Sequence, residues 1–151
     1  MTEEYEINKR DGDLYADFIS DVFYDKYFIQ LSHFKSKQYQ LKGENKQGIE
    51  IKFDNQYEKT GNLYIEVAEK SNAMNLNYYE SGIYRKDNTW LYVIGNYKII
   101  YVFSKTILRL IHNWKDTNGD KRYREVETST SQGYLLPKNI AEIYASLIII
   151  L

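Results

Sequence analysis

Two short stretches of strict alternation constrain this chain more than anything else in it. In residues 48–54, Gly-Ile-Glu-Ile-Lys-Phe-Asp, an extended backbone puts Ile49, Ile51 and Phe53 on one face and Glu50, Lys52 and Asp54 on the other. In residues 62–68, Asn-Leu-Tyr-Ile-Glu-Val-Ala, the same period separates Leu63, Ile65 and Val67 from Tyr64, Glu66 and Ala68. The polar link between them ends in Thr60-Gly61-Asn62, a turn signal, so a hairpin is the simplest topology. Such a hairpin would gather Glu50, Asp54 and Glu66 around Lys52.

The surrounding sequence supplies helices and further strands. Leu14, Phe18, Val22 and Ile29 recur at helical spacing and predict a helix over residues 13–34. Asp13, Asp17, Asp21 and Asp25 form an i, i+4 ladder on another face of it; this is either a solvated acidic face or a way for Asp17 to lean over a site. A strand is expected near residues 38–41. Residues 90–94 and 97–103 flank Gly95-Asn96 and predict a second hairpin or two separate strands. A helix is expected over 106–114, a short strand over 122–128, and a last helix from Pro137 to about residue 149, with proline at its first position. The sum is an α+β chain of a single domain, residues 1–151.

Composition narrows the function. A hydrophobic fraction of 43% is enough for a core and argues against disorder. Without cysteine there is no disulfide, no thiol chemistry and no cysteine-bound zinc, which fits a reducing cytoplasm. The first ten residues hold no apolar segment of a signal peptide, and no apolar run is long enough to cross a membrane. The net charge of −1 counts against a dedicated nucleic-acid binder, unless a local basic patch or bound metal carries the contact. Lys35, Lys37, Lys42, Lys46, Arg85 and Lys86 are candidates for such a track, and residues 128–132 for a polar phosphate contact. The sixteen tyrosines read as strand formers on half-buried surfaces, with base stacking as the alternative. Asp116-x-Asn118-x-Asp120 has its glycine at the wrong position for a calcium loop and reads as a turn. His33 and His112 have no partner at metal-ligand spacing, and His112 reads as structural.

An alternating Glu/Lys/Asp strand is by itself most often a solvated sheet face. Three carboxylates crowded together repel, however, and a hard cation relieves the repulsion. An ion so held can polarise a phosphodiester and acidify a water, while a lysine orients the nucleophile or stabilises the developing charge.

In residue order, the Glu50-x-Lys52-x-Asp54 strand, Thr60-Gly61-Asn62, the strand bearing Glu66 and then Ser81-Gly82-Ile83 resemble a phage- and bacterial-type branch of the PD-(D/E)XK, or restriction-endonuclease-like, nucleases. The resemblance covers roughly residues 47–103. It implies an α/β/α sandwich-like core, with a central mixed sheet of four to five strands flanked by helices. It also implies a deoxyribonuclease using Mg2+ or Mn2+, with Asp54 and Glu66 as metal ligands and Glu50 as rival or third acid. Lysine is expected two residues after the second acid, where this chain has Ala68. Either Lys52 supplies it from the other strand, with Lys70 as second candidate, or the protein binds without cutting. Ser81 is a candidate accessory residue. DNA is the implied partner, and a homodimer is expected by analogy, because cutting both strands of a duplex invites two sites.

Overall fold

The computed structural model describes residues 3–33 and 43–151. The strand expected at residues 38–41, the end of the first helix expected at residue 34, and Lys35, Lys37 and Lys42 lie outside the described residues. The chain is α+β, with a mixed four-stranded sheet, a second antiparallel sheet and flanking helices.

Helix α1 spans Glu3–Tyr27 and so begins ten residues earlier than expected. Its buried stripe is Tyr15, Ile19, Val22 and Phe23. Leu14 is exposed, and Ile29 lies beyond the helix and is also exposed. Tyr15 and Ile19, four apart, set the inward face, one residue round from the stripe expected through Leu14 and Phe18. Asp13, Asp17, Asp21 and Asp25 are all exposed.

Strand β1 (Ile49–Phe53) does not form a hairpin with β2 (Asn62–Glu69). The link holds one helical turn, α2 (Tyr57–Thr60), ended by Gly61 at φ 71°, a left-handed position that glycine takes without strain. The turn carries the chain from one sheet to the other. β1 lies parallel to β4 (Leu91–Gly95), pairing Ile51 with Val93 and Lys52 with Ile94. β4 turns into β5 (Ile99–Ser104) as the second expected hairpin, and β5 pairs with β8 (Leu147–Ile150). The second sheet joins β2 to β7 (Ser131–Pro137), with β3 (Tyr79–Glu80) and β6 (Glu125–Glu127) at its edges. A 3-10 turn follows β3 at Gly82–Tyr84, and α3 is Lys105–His112.

The C-terminal expectation is corrected. Pro137 ends β7 and precedes α4 (Lys138–Tyr144), which stops well short of residue 149. The following Leu-Ile-Ile-Ile run is rich in β-branched side chains, which favour strands, and it becomes β8.

Two cores share the mixed sheet. One face packs α1 against Ile49, Ile51, Val93, Ile100, Val102 and Ile149. The other carries Tyr92, Ile94, Tyr101 and Phe103 into a second core with Leu63, Ile65, Val67, Tyr134, Leu136 and α3. Tyr15, Tyr92, Tyr101 and Tyr134 are completely buried, so several tyrosines build the core rather than a half-buried surface. Tyr134 Oη donates to the Leu108 carbonyl at 2.8 Å, satisfying its buried hydroxyl.

Candidate active site

Because Ile49 and Ile51 belong to the core under α1, the alternation of β1 turns Glu50 and Lys52 to the other face of the sheet. Glu50 is almost wholly buried, at 1% exposure. Its Oε2 accepts from Lys105 Nζ at 2.5 Å, and its Oε1 lies 3.3 Å from Lys52 Nζ. The Lys52 ammonium is also 3.4 Å from Glu66 Oε2, so it bridges the first sheet to the second. Ser81 Oγ donates to the same Glu66 oxygen at 3.2 Å. Burial pulls the Lys52 ammonium down, but Glu66 and Glu50 together outweigh it and hold its pKa well above the usual lysine value. Burial pushes the Glu66 carboxyl up, against the pull of Lys52.

Asp54 is placed differently. Its Oδ2 accepts the Tyr64 N–H at 2.8 Å and its Oδ1 accepts the Gln56 N–H at 3.0 Å. The carboxylate thus ties the end of β1 to the start of β2, one backbone N–H on each oxygen. It lines, with Lys52, Glu66, Tyr64, Tyr92 and Thr128, a cleft of about 450 Å³ between the two sheets.

The short motifs acquire physical roles here. Gly82 has φ 54°, and a Cβ there would lie 2.1 Å from the Glu66 carbonyl oxygen, so no other residue fits without a backbone shift. Ile83 is fully buried beneath it. Ser-Gly-Ile is therefore a cradle for the Glu66 backbone and side chain. Thr60-Gly61-Asn62 closes α2 and starts β2; Gly61 N donates to Tyr57 O at 2.8 Å.

Three residues of the cluster escaped the sequence reading. Lys105, at 1% exposure, donates to Glu50, to the Gly82 carbonyl at 2.8 Å and to Thr89 Oγ1 at 2.5 Å, which uses all three of its protons. Its signal was a lysine on the same helical stripe as the buried Leu108 and Ile111. Glu44 Oε2 accepts the Ile51 N–H at 3.0 Å, capping the outer edge of β1. Burial, reinforced by the nearby Glu50 charge, pushes its carboxyl up to about 7. Tyr92 has no exposed surface; burial, with the Glu50 and Glu66 charges behind it and against the pull of Lys52 and the Glu66 backbone, raises its pKa well above the ordinary value.

The remaining candidates lie apart from the cluster. Asp17 lines a groove beside α1 with Glu44, His33 and Arg85. Lys70 follows β2, and its ammonium sits over the Tyr78 ring, 4.8 Å from the centroid. Ala68, in the expected lysine position, is paired with Glu80 and Gln132 and packs partly on the core. Arg85 pairs with Asp87 at 2.8 Å. His112 is held by Tyr84 Oη at 2.6 Å and Glu125 Oε1 at 2.8 Å. Asp116 Oδ1 accepts the N–H groups of Asn118 and Asp120, which makes that segment a turn.

Among the described residues no group of three or more carboxylates or imidazoles is arranged to hold an ion. Glu50 Oε1 and Glu66 Oε2 do face one point, since a single ammonium lies within 3.4 Å of both. Two carboxylates completed by water and substrate phosphate fit Mg2+, which rarely takes an all-protein cage. No family model, no curated protein and no solved structure matches the chain.

Proposed function

We propose that the chain is a metal-dependent nuclease of the restriction-endonuclease-like kind, hydrolysing DNA phosphodiesters in the cleft between its two sheets. The observation that carries this reading is the convergence of Glu50, Lys52 and Glu66 from strands of different sheets, with Lys52 and Glu66 lining one cleft and Glu50 buried next to Lys52. Glu66 and Glu50 are the acids that would hold Mg2+ or Mn2+, with Asp54 as a further carboxylate lining the cleft with Glu66. The ion, when bound, supplies charge stabilisation and acidifies water. Lys52 supplies the cation that Ala68 does not, placed to orient a nucleophile or to stabilise the phosphate charge. Ser81 and Gly82 fix Glu66, and Lys105 fixes Glu50. The alignment of these residues with the ordered motifs of that nuclease family supports the same reading.

A second reading has its own support. As placed, the acids are neutralised by Lys52 and Lys105, which suits a catalytically degenerate relative that binds nucleic acid or protein without cutting it. End-labelled single- and double-stranded oligonucleotides, incubated with Mn2+ or with chelator, separate the two. Metal-dependent cleavage supports the enzyme; retention of labelled DNA without cleavage supports the binding module.

A further inference from the structure

The outer edges of the two sheets are finished unequally. The outer side of β1 is capped by side chains: Glu44 Oε2 accepts the Ile51 N–H at 3.0 Å, and the Asn45 amide bonds both the N–H and the C=O of Ile49. The second sheet ends in β3 and β6, strands of two and three residues that carry the exposed acids Glu80, Glu125 and Glu127. Short length and charge are what stop a sheet edge from pairing further. β8 has no such protection. It is the last strand of the mixed sheet, and among the described residues no strand pairs with its outer side. Residues 144–151, Tyr-Ala-Ser-Leu-Ile-Ile-Ile-Leu, hold no charge. The Leu151 N–H donates to the Lys98 carbonyl, and the ladder alternates back from there through the pair Ile99 and Ile150. Leu147 and Ile149 therefore turn their main-chain groups to β5, while Ile148 and Ile150 turn theirs outward. The Ile150 side chain is 76% exposed, and Leu147 and Leu151 are exposed as well.

Residues 147–151 read the same in both directions, Leu-Ile-Ile-Ile-Leu. An antiparallel copy related by a two-fold axis through Ile149 sets Leu147 opposite Leu151 of the partner subunit, and Ile148 opposite Ile150 of the partner subunit. In that register the outward N–H and C=O of Ile148 and Ile150 all find partners, and each exposed side chain of the strand meets an apolar one. Any extended strand would satisfy the main-chain groups; the palindrome and the absence of charge make a second copy the matching occupant. The strand alone is smaller than the roughly 20–30 residues a side of a standard interface. Its flank supplies more. α4 packs on the same core as Ile148 and leaves Ile143 and Tyr144 exposed, and Tyr144 lines an apolar groove of about 260 Å³ with Ile107, Leu110 and Trp114. We infer that the chain forms a two-fold homodimer through β8, the mixed sheets of two copies joining edge to edge into one continuous sheet. The pairing consumes the open edge, so assembly closes at two copies. This inference stands independently of the nuclease reading.

The test is sedimentation equilibrium of the full chain from about 1 to 100 µM, with hydrogen exchange read amide by amide and folding checked by circular dichroism. Wild type is expected at twice its 18.0 kDa mass, with slow exchange at the Ile148 and Ile150 amides. Ile150→Lys is expected to weaken the dimer at least about a hundredfold, because the change is made on both sides of the axis, and to leave the Ile148 amide exchanging fast. Ile150→Pro is expected to do the same, since it removes an N–H that faces away from β5 and breaks no bond within the chain. Leu76→Lys alters a side chain that is 94% exposed on the segment between β2 and β3, and is expected to stay dimeric. A monomeric wild type with fast exchange at Ile148 overturns the inference, and so does a monomer whose β8 pairs only with a strand of another protein. A dimer that persists in both Ile150 variants, or that is lost equally in Leu76→Lys, places the contact elsewhere and overturns it too.

Discussion

Replacing Lys105 with methionine removes the cation on which the inner half of the site is built. Lys105 and Glu50 are each 1% exposed and meet at 2.5 Å, and Lys105 also serves the Gly82 carbonyl and Thr89 Oγ1. Methionine keeps the volume and the apolar stem but leaves one Glu50 oxygen, one carbonyl and one hydroxyl without their donor. Breaking a buried pair by deleting one member costs about 3–5 kcal/mol. Lys52, still 3.3 Å from the other Glu50 oxygen, keeps the loss near about 3 kcal/mol. That is a large part of the roughly 5–15 kcal/mol typical of one domain, and it lowers Tm by roughly 6–12 °C for a chain of this size. Urea denaturation of wild type, Lys105→Met, Glu50→Gln and the double variant gives both the loss and the coupling. The double variant is expected to recover at least about 1 kcal/mol relative to additivity, since it no longer buries an uncompensated carboxylate. A single-variant loss below about 1 kcal/mol, or strict additivity in the double, would refute the view that Lys105 holds Glu50 in place.

Three further outcomes are expected. Gly82→Ala forces a Cβ against the Glu66 carbonyl at a left-handed φ, so it costs about 2 kcal/mol or more by chemical denaturation, whereas Gly61→Ala, whose added Cβ meets nothing within 4 Å, costs less. Glu44, whose carboxyl is raised to about 7, keeps its proton in the folded state while the unfolded chain loses it. Its contribution is therefore fully present below about pH 4.5 and is lost as pH rises through 7, and Glu44→Gln is expected to gain about 1–2 kcal/mol over wild type at pH 8 but nothing at pH 4, measured as paired urea midpoints. His112 runs the other way: burial lowers its pKa, so its contribution is present above its ordinary value near 6.5 and is lost as pH falls through the lower folded value. The slope of stability below about pH 6.5 is expected to flatten in His112→Gln, and an unchanged slope removes His112 from that account.

The strands that carry the site were legible because period two survives any choice of partner. Residues 49–53 and 62–69 are strands, and the sides taken by Glu50, Lys52 and Glu66 follow from their apolar neighbours. Their pairing was not legible. The true partners, β4 and β7, lie about forty and seventy residues further along, and only tertiary packing selects them over a nearby hairpin. Lys52 reaches Glu66 all the same, because Asp54 ties β1 to the Tyr64 N–H and so holds the two sheets together at that point. Tyr15 misled the reading of α1, since a tyrosine counts as half polar yet here is wholly buried, with its hydroxyl on the Asn96 carbonyl at 3.1 Å. At the C-terminus the rule for proline at a helix start was right in kind, but helical momentum was carried through Leu147–Ile150, where β-branching was the stronger signal. Lys105 was hidden because an isolated lysine at a helix start is normally solvated; only the burial of Leu108 and Ile111 on the same stripe shows otherwise.

Supercoiled plasmid, incubated with Mg2+ or Mn2+ and equal amounts of wild type, Glu66→Gln and Lys52→Met purified in parallel, tests the nuclease reading most directly. Metal-dependent nicking or linearisation by wild type, with a loss of at least about a hundredfold in both variants, is the predicted result. An inert wild type, or the same residual cleavage in all three, would contradict it.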